Sequence, residues 1–241
     1  MTIQSALRLI YPPQCLICRD LVESRAALCG ACWGKTPFIN GLVCDRCGVP
    51  LPGEGEAGRI EYCDACLSTD PAWDRGRAAM LYAENGRRMV LSLKHGDRHD
   101  LVKPLATWMA GALAPLVRDG MVVVCVPAHR WRLLRRRFNQ AALLSGEVAG
   151  HLGLGHFPDA LCRRKSTIKL DGLGREARAE VLEGAIGVLA RQADALKDRD
   201  VLIIDDVMTT GATFRACAAA CKAVGARQII VGAAARVALT V

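Results

Sequence analysis

Aromatic side chains are scarce in this chain: Phe, Tyr and Trp make up 5% of 241 residues, although 51% are hydrophobic. The core must therefore be built from Val, Ile, Leu, Ala and Met, which suits an α/β protein, and the aromatic platform expected for stacking single-stranded bases is thin. No apolar run reaches the roughly 18 residues of a spanning helix, so membrane insertion is not expected. Residues 1–13 carry Ile3, Leu7 and Ile10 at helical spacing but no basic leader and no small-residue cleavage site. The sequence thus predicts a cytoplasmic protein without a secretory signal. The five histidines show no metal-ligand spacing, and residues 129–137 contain no acid. Acid is in the minority overall: 24 Asp and Glu against 32 Lys and Arg give a net charge of +8. That balance favours polyphosphate or nucleic-acid ligands without separating them.

Cysteine, by contrast, is abundant, with 12 in the chain. Eight fall before residue 70 as four C-x-x-C pairs, Cys15/Cys18, Cys29/Cys32, Cys44/Cys47 and Cys63/Cys66. A two-residue gap lets two thiolates face one tetrahedral ion from a tight turn. The segments between the pairs are short and polar and cannot bury a useful core, so metal has to replace it. Two structural zinc sites are expected, paired in sequence order as 15/18/29/32 and 44/47/63/66. A polar joint at Ser68-Thr69-Asp70-Pro71 sets the expected boundary between residues 1–70, an N-terminal helix and the cysteine-rich module, and residues 71–241, the main domain. Trp73, just after the joint, is placed to pack one against the other. The remaining Cys125, Cys217 and Cys221 read as core thiols, the last two being i,i+4 on a helix; Cys162 has no assigned role.

The main domain is organised around Val201-Leu202-Ile203-Ile204-Asp205-Asp206-Val207-Met208-Thr209-Thr210-Gly211-Ala212-Thr213. Four apolar β-formers without alternation suit a strand buried on both faces of a parallel sheet, and ligands of such sheets bind beyond the carboxyl ends of the strands. Asp205 and Asp206 stand at that edge, able to accept hydrogen bonds from vicinal hydroxyls. Thr209 to Thr213 supply hydroxyls and closely spaced N–H groups at the start of a helix, Phe214 to Val224, whose dipole favours an anion. Diol on the acids and phosphate on the loop describe a ribose 5-phosphate. Further strands are expected at 76–82, 122–126, 185–189 and 228–232, with helices over 85–94, capped by Asn85, and 101–117. The strand 122–126 runs into a loop holding five arginines in residues 129–137, a second anion site at the same sheet edge. Arg163 to Arg178 enclose a Gly-bearing stretch that reads as a mobile basic loop.

The 201–213 stretch resembles the phosphoribosyl-pyrophosphate (PRPP) motif of type I phosphoribosyltransferases. With the four C-x-x-C pairs, Leu93-Lys94-His95-Gly96-Asp97, Val126-Pro127, Arg136-Arg137-Phe138-Asn139-Gln140 and Thr167 to Leu173 with Arg178, nearly the whole chain resembles the ComF family of competence-associated proteins. The resemblance implies a type I phosphoribosyltransferase fold, a mostly parallel sheet flanked by helices, behind a double zinc ribbon. It implies PRPP with Mg2+ as ligand and transfer of a phosphoribosyl group to an acceptor the sequence does not identify. Asp205 and Asp206 would carry the ribose chemistry, and Val207, Met208, Thr209, Thr210, Gly211, Ala212 and Thr213 would surround the 5-phosphate. Lys94, Arg136, Phe138, Asn139, Gln140, Thr167 and Arg178 would line the cleft, with Arg130 and Arg132 on pyrophosphate. The family's link to DNA uptake implies an alternative, a single-stranded DNA-handling protein without turnover, partnered by a DNA-uptake helicase or processing protein. The chain departs from the family pattern at Arg137, where glycine is usual, and at Leu170 and Val181, which replace Gln and Asn.

Overall fold

The structure, a computed structural model, describes residues 11–24, 26–54, 59–69, 71–96, 98–128, 139–164 and 184–238. Residues 1–10, most of the stretch where an N-terminal helix is expected, and the site residues Arg130, Arg132, Arg136, Phe138, Thr167 and Arg178 lie outside them, as do Arg137, Leu170 and Val181.

Five strands form one parallel sheet in the order β1-β7-β6-β2-β3: β1 (Arg75–Leu81), β2 (Val122–Cys125), β3 (Gly155–Phe157), β6 (Val201–Met208) and β7 (Ile229–Arg236). The central strands are buried on both faces, as their unbroken Val/Ile/Ala composition requires. Alternate residues feed two separate cores. Val123, Leu202, Ile204 and Ile230 point to one side, where α3 (Glu84–His95), α4 (Val102–Leu113) and α5 (Gln140–Leu152) pack. Val124, Val201, Ile203 and Val231 point to the other, beneath α7 (Ala212–Ala223), which contributes Phe214, Cys217, Ala218 and Cys221. Cys217 and Cys221 are fully buried, as the i,i+4 reading expects. The expected class, a mostly parallel sheet flanked by helices with a small cysteine-rich N-terminal module, is the class observed.

Three local readings are corrected. Asn85 does not cap its helix: α3 begins at Glu84 after an extended Ala83 without a side-chain cap, and Asn85 Nδ2 instead donates to Cys32 O at 3.0 Å. The 185–189 run is not in the parallel sheet. Its strand β5 (Ile186–Val188) is three residues long and pairs antiparallel with β4 (Leu161–Arg163), a strand the sequence did not reveal. The 101–117 helix is broken into α4 and flanking 3-10 turns at His99–Leu101 and Ala114–Leu116, the second carrying Pro115 near its start.

The two cysteine clusters sit on different cores. Leu16 of the first belongs to the α3/α4/α5 side, with Leu28 and Phe38 packed there, while Cys44, Cys47 and Cys66 of the second belong to the α7 side together with Trp73. Two short helices, α1 (Gly30–Gly34) and α2 (Asp64–Ser68), each carry the second cysteine of a late C-x-x-C pair, Cys32 and Cys66. The last helix, α6 (Ala193–Leu196), closes the end of the α7-side core with Leu196. Among the described residues no helix is long and apolar enough to cross a membrane.

Candidate phosphate-loop site and metal centres

Strand lengths create the site. β2 ends at Cys125, opposite Ile204, but β6 continues to Met208 because β7 goes on pairing with it, Asp205 to Ala233, Val207 to Ala235 and Met208 to Arg236. The sequence reading ends the strand at Ile204; its true end is four residues later. Asp205 and Asp206 therefore project from a strand edge that β2 has left open. Side-chain alternation sends them to opposite faces, and they differ accordingly. Asp206 is buried and its Oδ1 receives Lys94 Nζ at 2.9 Å, whereas Asp205 is half-buried and its Oδ1 accepts the Asp206 N–H at 2.8 Å.

The electrostatics follow from two carboxylates sharing one ammonium. Burial pushes the Asp205 carboxyl up to about 8, the Asp206 charge adds to the shift, and Lys94 offsets part of it. Burial works against the Lys94 ammonium, but the charges of Asp206 and then Asp205 outweigh it, and its pKa is raised. Lys94 comes from the last turn of α3, where the helix dipole also favours a cation.

The loop after β6 enters α7 through Gly211, whose φ of 78° is left-handed and suits glycine. A Cβ at Gly211 would lie 2.5 Å from Trp73 Cη2, so the residue is also required by close approach. Thr209 is exposed, Thr210, Ala212 and Thr213 are half-buried, and Thr210 Oγ1 accepts the Ala212 N–H at 3.4 Å. Val207 is half-buried against the α3-side core, and Met208 is 1% exposed, so its side chain serves packing. Arg236, at the end of β7, holds the loop from below: its Nη1 donates to the carbonyls of Met208, Thr209 and Val237. That role had no sequence signal beyond a lone arginine closing an apolar strand.

Asn139 and Gln140 stand at the start of α5. Asn139 caps it by accepting the Ala141 N–H at 3.1 Å, while its Nδ2 donates to Val126 O at 3.3 Å, tying the helix start to the end of β2. Gln140 is buried, and its Nε2 has no hydrogen-bond partner among the described residues. Beside them the Cys125 thiol is pushed up to about 12 by burial and by the Asp205 charge. Lys94, Asn139, Asp205, Asp206 and the 209–213 loop thus gather at the carboxyl ends of β2 and β6. The whole of the expected arginine bank, residues 129–137, lies outside those described.

The eight cysteines gather in sequence order, Cys15, Cys18, Cys29 and Cys32 in one cluster and Cys44, Cys47, Cys63 and Cys66 in the other, with the sulfurs of each within 4.8 Å of one another. Zinc–sulfur bonds of about 2.3 Å in a tetrahedron place sulfurs about 3.8 Å apart. The Cys18–Cys29 and Cys47–Cys63 separations are 3.5 and 3.7 Å. Both sets fit zinc. The second is the more enclosed: Cys44, Cys47 and Cys66 are buried, whereas Cys18 of the first is exposed.

Residues 6–67 match the model of the double zinc ribbon domain. Over 229 residues the chain is 26% identical to competence protein F of Haemophilus influenzae, covering 92% of this chain and 96% of that protein. The resemblance to ComF proteins is borne out. DNA utilization protein YhgH of Escherichia coli K12 is 26% identical over 211 residues, 85% of this chain and 88% of its own, and its Salmonella typhi counterpart 27% over 212 residues with the same coverage. Among solved structures, the glutamine PRPP amidotransferase of B. subtilis complexed with ADP and GMP aligns with 55% of this chain but only 26% of its own, at 16% identity and a TM-score of 0.38. A hypoxanthine phosphoribosyltransferase of Staphylococcus aureus aligns with 56% of this chain and 62% of its own, at 12% identity and a TM-score of 0.35.

Proposed function

We propose that Asp205 to Thr213 binds a ribose 5-phosphate group and that the chain is a phosphoribosyltransferase-like protein acting on PRPP. The observation that carries the reading is the end of β6: two carboxylates on an open sheet edge lead directly into a left-handed Gly211 and the N-terminus of the twelve-residue α7. Ribose hydroxyls donate to Asp205 and Asp206, and the N–H groups of the 209–213 loop donate to the phosphate. In transfer, the bond from the anomeric carbon to the pyrophosphate oxygen breaks and a bond from carbon to the acceptor forms. The two carboxylates stabilise the positive charge that develops on the sugar between these events.

Among the described residues no group of three or more His, Cys, Asp or Glu other than the two cysteine sets is close enough to hold a metal. This suits Mg2+, which is commonly held by one or two carboxylates and by substrate phosphates. Bound with PRPP, the ion would neutralise the leaving pyrophosphate, and Asp205 and Asp206 are the carboxylates placed to meet it or the hydroxyls.

Calorimetry with ribose 5-phosphate, and with PRPP plus Mg2+, tests the site. Asp206→Asn should weaken binding at least tenfold, equivalent to about 1.4 kcal/mol; equal affinity in wild type and variant would sink the assignment. A PRPP-dependent pyrophosphate-release screen over candidate acceptors then tests turnover.

A second reading, handling of single-stranded DNA in uptake, is favoured by the relatives' names, competence protein F and DNA utilization protein, and by the net charge of +8. Single-strand affinity should then fall steeply with salt, because Lys and Arg that contact phosphates release the counterions condensed on them. A flat salt response would remove this reading and leave the first intact.

A further inference from the structure

The second cysteine cluster touches the phosphate loop through one side chain. Its first knuckle, Cys44-Asp45-Arg46-Cys47, is docked on β1: Gly76 N donates to Asp45 O at 2.9 Å, and a Cβ at Gly76 would lie 2.6 Å from Arg46 O. Asp45, 5% exposed, receives Arg75 Nε and Nη2 at 2.6 and 2.7 Å and Arg77 Nη2 at 2.7 Å. Arg46 Nη1 donates to Cys66 O at 3.2 Å, linking the cluster's two knuckles. From the far side of this knuckle Trp73 takes its position: Nε1 donates to Arg46 O at 2.6 Å. The other end of the indole lies against Gly211, and its ring meets Phe214 at 6.3 Å between centroids. Trp73 is 5% exposed, so its indole is held along its length. A cleft lined by Cys47, Cys66, Trp73, Thr209 and Thr210 separates the cluster from the loop.

The geometry points to Trp73 as a positioning residue through which the second zinc ribbon sets the conformation of the phosphate loop. This rests on the reading of residues 209–213 as the phosphate site. The metal would be held by Cys44, Cys47, Cys63 and Cys66; what the chain adds is a rigid path from those ligands to Gly211. Two thiolates on one ion add a constraint to the turn of a C-x-x-C knuckle, beside the contacts of Asp45 with Gly76, Arg75 and Arg77. Arg46 lies between Cys44 and Cys47, so its carbonyl direction depends on that turn. Through the Trp73 N–H, the carbonyl fixes where the indole lies, and the indole occupies the space on one side of Gly211. Loss of metal from this ribbon would release Trp73 and with it the left-handed entry to α7, so ligand affinity would follow the metal content of the second ribbon. Among the described residues the first ribbon shows no hydrogen-bonded path to Gly211: its links to the main domain include Cys32 O to Asn85 and Leu16 O to Arg98, and Trp33 packs on Trp108.

The test uses the full chain loaded with zinc. Trp73→Phe keeps an aromatic side chain but removes the Nε1 donor and the indole's reach to Gly211; Cys66→Ser opens the second site and Cys18→Ser the first. Hydrogen exchange of residues 207–213 is measured in each, with zinc content by mass spectrometry and calorimetry against ribose 5-phosphate and free ribose. Trp73→Phe with two zinc ions retained should exchange faster in 207–213 and bind ribose 5-phosphate at least about three- to tenfold more weakly, the scale of one lost hydrogen bond to which the lost indole contact at Gly211 adds. Its affinity for free ribose should be unchanged, a contrast that general loosening would not produce. Cys66→Ser should show the same exchange signature more strongly, and Cys18→Ser should not show it. Wild-type exchange in Trp73→Phe, or the same signature in Cys18→Ser, overturns the proposal; because Cys66→Ser can fail to fold, Trp73→Phe decides. Failure of the wild type to bind ribose 5-phosphate overturns the ribose reading instead, and the exchange arm, which needs no ligand, still decides whether ribbon and loop are coupled.

Discussion

Replacing Asp205 by Asn should make the protein more stable at neutral pH and useless to a ribose. The carboxyl is half-buried beside Asp206, and burial followed by that neighbouring charge pushes it up to about 8. In the unfolded chain the group titrates near 4. Between these values the folded protein carries one proton more than the unfolded one, so stability falls as pH rises, by about 1.4 kcal/mol per pH unit for a single group. Between pH 5 and 7 this amounts to about 3 kcal/mol. The fall flattens above about pH 8, where both states are ionised. Urea unfolding across pH 5 to 9 measures the slope directly, and Asp205→Asn should abolish this component. Lys94→Met, which removes the offsetting ammonium, should extend the fall to higher pH. Binding runs the opposite way. An ionised Asp205 is a stronger acceptor for a ribose hydroxyl than its protonated form, so ribose 5-phosphate affinity should rise through about pH 8, above the second phosphate pKa of about 6. A wild-type slope equal to that of Asp205→Asn would refute the account, since Lys94 would then be keeping the Asp205 carboxylate ionised throughout.

Three further outcomes are expected. Purified protein should contain about two zinc ions per chain, Cys47→Ser should retain one, and chelation should lower the melting temperature; a wild-type content of one would refute the two-cluster assignment. Gly211→Ala should destabilise by about 2 to 4 kcal/mol, from left-handed strain and the collision with Trp73, and should abolish ribose 5-phosphate binding; wild-type denaturation and affinity would show that the contact is not as described. Asp45→Asn should cost about 2 to 4 kcal/mol in urea denaturation at pH 7, because Arg75 and Arg77 lose their shared carboxylate. Burial opposes Asp45 ionisation, but the hydrogen bonds from Arg75 and Arg77 outweigh it and lower its pKa. Its contribution is therefore present above about pH 4 and lost as pH falls through the folded value, so the wild-type advantage should shrink in acid.

What could be read without coordinates was whatever had a local pattern. The C-x-x-C spacing gives both clusters and their pairing, because a knuckle and its partner are neighbours in the chain. The apolar run followed by Asp205, Asp206 and the Thr/Gly loop gives the strand, the helix and the turn between them. What escaped depends on residues far apart in sequence. The extension of β6 to Met208 is dictated by β7, whose Ala233, Ala235 and Arg236 go on pairing after β2 has stopped. Lys94 reaches Asp206 only because α3 runs over the α3-side core toward that edge. Asn85 has the composition of a cap but is claimed by Cys32 O of the first ribbon, a tertiary partner that outweighs local preference. Trp73 was legible as a packing residue, but its partners Arg46 O and Gly211 were not.

The position of β1 has a consequence for how the chain is assembled. On one side β1 pairs in parallel with β7, and Asp74 accepts the Ile229 N–H at 2.7 Å across 155 residues. Its other side is already covered by the cysteine-rich module: Ile39 N donates to Ala79 O, Leu81 N to Pro37 O and Gly76 N to Asp45 O. During synthesis the covered side can form as soon as Leu81 has emerged, while the open side must wait for the last strand to be made. The ribbons thus hold an early strand in extended form as half of a template, shielded from edge-to-edge association on one side. Docking of β7 between β1 and β6 joins the two parts of the sheet and sets the length of the site-bearing strand together. Truncation before Ile229 should therefore leave metal-loaded ribbons with an exposed sheet edge, visible as zinc-containing aggregates in sedimentation.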